Sequence, residues 1–157
     1  MKLRRIKITG IIIAVALALT SCNRHTIYSH YEPVDMDGWE RSDTLLFCVN
    51  NATDSIFSEQ LGLRINSKFP YRDLALVVEQ RLQHNPRIIK SDTLYLNLAN
   101  EDGLFIGKGL NIFHYDVDLG TIVLPKADTL QVSVYHKMRR EMLPGVASIG
   151  ITVVKEP

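Results

Sequence analysis

The sequence lacks a clear excess of either charge: 18 Lys and Arg face 17 Asp and Glu in 157 residues. Without a basic surplus there is no electrostatic footprint of the kind a nucleic-acid-binding protein needs. Cysteine is scarce. Two residues, Cys22 and Cys48, cannot build a disulfide scaffold. Nine Gly and six Pro in a chain that is 46% hydrophobic exclude fibrous and low-complexity classes. Also missing is an amphipathic helical stripe lasting three turns. The nearest stretch, Glu79–His84, continues an alternating pattern and meets Pro86. The length suits one domain with a real core.

The charge that is present is unevenly placed. Met1–Lys7 holds Lys2, Arg4, Arg5 and Lys7 and no acid, which leaves the remainder mildly acidic. Ile8–Thr20 is almost wholly apolar or small. As a helix it would rise only ~20 Å at 1.5 Å per residue, short of the ~30 Å hydrocarbon core of a bilayer. The segment therefore predicts an export signal rather than a spanning helix. Leu19-Thr20-Ser21-Cys22 resembles a bacterial lipobox, a branched apolar residue and two small ones before Cys. That resemblance implies cleavage between Ser21 and Cys22, a diacylglycerol on the Cys22 thiol and an acylated new N-terminus. Such an anchor exceeds the single acyl chain that binds membranes only marginally. The expected organisation is a signal peptide over 1–21, a lipidated Cys22 and tether over 22–40, and a folded domain over 41–157. Cys48, within Leu45-Leu46-Phe47-Cys48-Val49, reads as a buried thiol acting as a small hydrophobe.

From Asp43 onward, short runs alternate apolar and polar residues, the pattern of half-buried strands. Thr44–Asn50 is one such run; others centre on Leu61, Leu63 and Ile65, on Leu74, Leu76 and Val78, and on Leu94, Leu96 and Leu98. Leu130, Val132 and Val134 form another, Ile122–Leu124 a shorter one, and Ile149, Ile151 and Val153 close the chain. With no crossover helices, these predict an all-β fold: an antiparallel β-sandwich of about seven or eight strands. The sequence Asp-Thr-Leu recurs at Asp43, Asp92 and Asp128. Turn chemistry explains it, because Asp bonds nearby backbone while Thr and Leu open a strand.

Candidate chemistry fails one test after another. Asp35-Met36-Asp37-Gly38 imitates half of a calcium loop, but Thr44 stands where a bidentate Glu belongs. His114, Asp116 and Asp118 would share one strand face, as metal ligands or as a solvated face; no second ligand cluster supports a metal. The Gly-rich stretch Gly103–Gly109 lacks the Ser or Thr and the helix of a phosphate loop, and reads as a shaped loop displaying Phe105 or Lys108. Ser133 and His136 are three apart in one strand and face opposite ways, so they form no nucleophile–base pair. No cofactor is implied. Phe105, Lys108 and the basic residues Lys137, Arg139 and Arg140 are the candidate partner-contact positions, the last three able to meet an acidic partner or lipid head groups.

Several segments, in order, resemble the gliding-motility lipoprotein GldH family. They are the lipobox at Cys22, Gly38-Trp39 before Asp43-Thr44, Phe69-Pro70-Tyr71-Arg72-Asp73-Leu74, and Asp92-Thr93-Leu94 leading to Leu98-Ala99-Asn100-Glu101-Asp102-Gly103. Ile106-Gly107-Lys108-Gly109 follows, then Met138-Arg139, Leu143-Pro144-Gly145-Val146 and Ile149-Gly150-Ile151. One departure is Leu104-Phe105, where a Trp is expected. The resemblance implies a cell-envelope lipoprotein of Bacteroidetes-type bacteria, without catalytic activity, linked to gliding motility. The expected role is a non-enzymatic accessory subunit that meets the membrane through Cys22 and docks onto other envelope proteins. Asn23-Arg24-His25 lacks the acidic run that resembles a surface-export tag, which favours the outer membrane and its periplasmic side. The alternative is a lipid-anchored module for a glycan or small ligand, which would need exposed aromatics such as Tyr71, Tyr95 or Tyr135 on one sheet face.

Overall fold

The structure is a computed structural model and describes residues 26–35, 37–84 and 88–156. The signal peptide expected over 1–21, the cleavage site at Ser21 and the lipidation site at Cys22 lie outside the described residues.

Ten strands and no helix make up the described chain: β1 (Thr26–Pro33), β2 (Trp39–Glu40), β3 (Leu45–Asn50), β4 (Ser55–Asn66), β5 (Asp73–Leu82), β6 (Ile88–Asn97), β7 (Ile112–Leu124), β8 (Thr129–His136), β9 (Met142–Leu143) and β10 (Val146–Lys155). One four-stranded sheet has the order β1-β10-β4-β7 and another the order β3-β8-β5-β6, while β2 and β9 form a short ribbon. Every pairing is antiparallel. The inward faces of both large sheets contribute to one apolar cluster. Phe57, Leu61, Leu63, Ile149 and Ile151 come from the first, and Phe47, Val49, Leu74, Leu76, Leu130 and Val132 from the second. Alternation drives this arrangement, since side chains two apart on a strand share a face and the apolar ones leave water together.

The count exceeds the expected seven or eight for two reasons. The β2–β9 ribbon is only two residues long on each side. In addition, β1 falls inside the stretch assigned to the tether. Thr26–Pro33, expected as tether, is thus paired into the sheet with β10. Strand β1 is an edge strand paired only with β10, and its largely exposed, polar surface carries no apolar alternation to announce it. Cys48 also differs from expectation. In a run where every residue is apolar, alternation cannot choose a face; the pairing of β3 with β8 turns Phe47 and Val49 inward and leaves Cys48 exposed. Of the three Asp-Thr-Leu segments, those at Asp43 and Asp128 do precede strands, and the Asp128 carboxylate accepts from the Thr129 amide at 2.8 Å. The third lies in mid-strand, because β6 already starts at Ile88 and pairs along its length with β5.

The strand ends define two poles. Thr26 opposes Val154, which opposes Ser58, so one pole holds the start of β1 and the start of β4. Eight residues of β4, roughly 26 Å at 3.3 Å per residue, separate Ser58 from Asn66. Beyond Asn66 lie the β4–β5 loop and the residues between β8 and β10, at the opposite pole. Those two connections are locked together. The Asn66 amide donates to the Gly145 carbonyl at 2.8 Å, and Gly145 has φ +84° with its α-carbon against the Phe69 backbone. A Cβ there would lie 2.1 Å from the Phe69 nitrogen, so only glycine fits.

Candidate functional site

At this second pole, a cleft of about 320 Å³ opens on the outer face of the β3-β8-β5-β6 sheet. Its floor is Ala75 on β5. Directly across the ladder stands Tyr95 of β6, and on the other side the Lys137 amide donates to the Ala75 carbonyl at 2.8 Å. A methyl group between two long side chains leaves the depression. Tyr71 forms another wall and is fixed by the buried Phe69, whose ring meets it edge-on at 5.9 Å between centroids. Tyr95 is 79% exposed. Arg139, Arg140 and Met138 complete the rim, with Asp73 and Leu74 beside Ala75.

The segment 136–140 alternates beyond the end of β8, which explains how it is displayed. His136 points into the core, Met138 packs partly against it, and Lys137, Arg139 and Arg140 point out. Met138 is held by the Ala75 amide, which donates to its sulfur at 3.4 Å. Among the described residues, Lys137, Arg139 and Arg140 form no ion pair. Asp73 is the one carboxylate in the cleft lining. Three cations around an apolar, aromatic floor make a site that attracts anions while offering flat surfaces for stacking.

The structure thus brings together residues that the sequence reading kept apart. Tyr71 and Tyr95, named for a ligand site, share the cleft with Lys137, Arg139 and Arg140, named for partner contact. Tyr135 stays outside it, on the same face, with its hydroxyl donating to Glu79 at 3.3 Å. The Gly-rich loop is different. Phe105 is not displayed there; it is half-buried with its ring 4.9 Å from that of Phe113. Lys108 is exposed as expected, 3.8 Å from Asp116. On either side of Phe105, Leu104 and Ile106 stand out, and Leu110 is 92% exposed. Sequence reasoning overlooked these aliphatic residues, and also Ala75, because a small residue signals nothing until its neighbours are known.

The remaining candidates have structural accounts. His114, Asp116 and Asp118 do lie on one face of β7, while Leu119 is buried. His114 Nε2 meets Asp116 at 2.7 Å and the Tyr31 hydroxyl at 3.2 Å, while Arg64 Nε donates to its Nδ1 at 3.4 Å. This is a surface hydrogen-bond cluster; among the described residues no group of three His, Cys, Asp or Glu side chains is arranged to hold a metal. His136 is buried, and its Nε2–H donates to the Trp39 carbonyl at 3.2 Å. Burial pushes its pKa below the ordinary histidine value. Ser133 sits on the other face of β8, opposite Glu79.

Comparison with known proteins bears on identity. Residues 26–153 match the family described as GldH lipoprotein. Over 107 residues the chain is 31% identical to the gliding motility lipoprotein GldH of Flavobacterium johnsoniae, covering 67% of this chain and 65% of that protein. The match thus spans just under two thirds of the relative's length. Among solved structures, a family GH115 4-O-methyl-α-glucuronidase is similar at a TM-score of 0.46 and 12% identity, over 87% of this chain and 18% of that one. A protein from Sulfurospirillum deleyianum is similar at 0.41 and 12% identity, over 82% and 98%. Neither structural likeness bears on function. The family match spans most of the folded domain, and on that ground the chain belongs to the GldH lipoprotein family.

Proposed function

We propose that this protein is a non-enzymatic accessory subunit of the gliding-associated cell envelope, anchored by an acylated Cys22 in the outer membrane and facing the periplasm. Its signal peptide is cleaved between Ser21 and Cys22, and it docks onto other envelope proteins through the pole remote from the anchor. Membership of the GldH lipoprotein family carries this reading. The polarity of the domain supports it. Cys22 and Thr26 are four residues apart, a span of at most ~14 Å, so an anchored domain keeps the Thr26 pole near the bilayer. Ile27, Ile56 and Val123 are exposed at that pole, suited to an apolar surface. The opposite pole then faces the periplasm with Leu104, Ile106, Lys108 and Leu110 and the basic cleft. The non-enzymatic role is supported by the structural accounts of His114, His136 and Ser133 given above.

Mass analysis of the mature N-terminus tests the anchor: an acylated Cys22 is expected, and an unmodified N-terminus there overturns it. Co-purification from detergent-solubilised membranes tests docking. Defined envelope partners should be recovered with the intact protein and lost from a Leu104→Asp/Leu110→Asp variant that remains folded. Repeated recovery of the protein alone counts against the subunit.

A second reading is favoured by one observation, the meeting of Tyr71 and Tyr95 in a single cleft: the domain also binds a glycan or small ligand there.

A further inference from the structure

We propose that the cleft over Ala75 binds a carboxylate-bearing sugar, a hexopyranose unit whose ring stacks on Tyr71 or Tyr95 and whose carboxylate is held by Lys137, Arg139 and Arg140. This rests on the second reading above and names its ligand class. The size of the cleft, about 320 Å³, falls at the lower end of the range for small-molecule pockets. Its two tyrosines have the amphipathic form suited to the C–H face of a sugar, apolar in the plane and polar at the rim. The three cations have no carboxylate partner among the described residues, which leaves their donors available for a ligand anion.

Asp73 gives the cleft an acceptor beside its cations. A carboxylate in the lining is the acceptor that sugar hydroxyls require, and a phosphate ion or a simple acidic peptide leaves it unused. A ligand with hydroxyls at one end and a carboxylate at the other satisfies both halves of the cleft. With the domain anchored through Cys22 as proposed above, the cleft lies at the pole away from Thr26 and so away from the head groups of the anchoring leaflet. Carboxylated sugars of two origins share this chemistry: uronic acids of acidic polysaccharides, and muramic acid of the cell wall.

Isothermal titration of the full-length, detergent-solubilised protein decides the matter. The probes are a galacturonate tetramer, N-acetylmuramic acid, the neutral sugar chitotetraose and poly-L-glutamate. At least one carboxylated sugar should bind, more weakly as salt rises, and at least tenfold more tightly than chitotetraose. Which of the two binds identifies the source. Arg139→Gln/Arg140→Gln should weaken that binding tenfold or more, and so should Ala75→Leu, which fills the floor; circular dichroism confirms that each variant is folded. Equal binding of chitotetraose would overturn the anionic preference and leave a neutral glycan site. Binding of poly-L-glutamate alone would overturn the sugar and point to acidic peptides. No binding of any probe would overturn both this inference and the second reading, while the subunit role stands or falls on the separate co-purification.

Discussion

The ring of Tyr31 lies across two strands to reach His114, its hydroxyl 3.2 Å from Nε2. It passes over Gly150 of β10 and Gly62 of β4, the residues in register with it across the sheet. A Cβ on Gly62 would stand 2.0 Å from the Tyr31 hydroxyl oxygen, and one on Gly150 would lie 2.6 Å from the ring. Arg64 closes the arrangement, its guanidinium carbon 3.8 Å from the ring centroid. An aromatic side chain thus covers bare backbone that two glycines leave exposed, binding β1 to the sheet interior.

Gly62→Ala should therefore displace Tyr31 and destabilise the domain by roughly 1–2 kcal/mol, the usual range for a disrupted contact. In a Tyr31→Ala background the same change should become neutral or stabilising by about 0.5 kcal/mol, because alanine restricts the unfolded chain more than glycine. Urea unfolding of the four proteins measures the coupling. Independent effects of the two substitutions would show that the ring is not seated on the glycines.

Glu59 and Gln80 meet inside the core from opposite sheets, with Gln80 Nε2 donating to Glu59 at 2.8 Å. Among the described residues, the second carboxylate oxygen of Glu59 (Oε1) and the amide oxygen of Gln80 (Oε1) have no partner. Desolvation raises the Glu59 pKa, and the bond from Gln80 and the charge of Lys90 oppose it only in part. Because the folded state holds this proton more tightly, stability is greatest below the ordinary glutamate value and falls as pH rises through the raised one. Glu59→Gln should remove that slope and stabilise the protein above it by on the order of 1 kcal/mol. Trp39, buried in the core, serves as the fluorescence reporter. A Glu59→Gln protein with the wild-type slope would refute the assignment.

For His136 the sign is reversed. Burial lowers its pKa, helped by Arg41 and opposed by Glu141 and by the bond to the Trp39 carbonyl. The unfolded chain binds the proton more readily, so stability contributed by the neutral ring is lost as pH falls from the ordinary histidine value of 6.5 through the lowered one. His136→Phe keeps edge-on packing against Trp39, now 5.3 Å between centroids, but leaves the carbonyl without its donor. It should cost about 1–3 kcal/mol at pH 7.5 and show a flatter acid limb than the wild type. Parallel acid limbs would exclude His136 as the titrating group.

Cys48 is exposed on β3. Ellman's reagent should therefore titrate one thiol per native molecule, and denaturation should add none when Cys22 carries its lipid. A thiol that appears only on unfolding would mean that Cys48 faces the core and that the register of β3 differs.

Much of the core was legible because period-two alternation is local. Leu61, Leu63 and Ile65, or Leu130, Val132 and Val134, name their own inward face, and all are buried. Strand β1 was missed because none of its residues is fully buried and its partly buried positions, Thr26, Tyr28, Tyr31 and Glu32, do not alternate in an apolar pattern. The orientation of Cys48 was missed because Leu45–Val49 is apolar on both faces. Phe105 was expected outside, but a neighbouring Phe113, known only from the loop's return, draws it in.

By itself the sequence determined the all-β class and the inward faces of the long strands, which rest on residues nearly adjacent in the chain, and the membership of a lipoprotein family, which rests on the order of short segments along it. Only the tertiary structure decided that Tyr71, Tyr95 and the cations at 137, 139 and 140 line one cleft around Ala75. Those residues come from three separate stretches, and their meeting depends on the pairing of β5 with β6 and β8 and on the Asn66–Gly145 contact. Alternation specifies which face a side chain takes; which strands become neighbours is set by packing of the whole core.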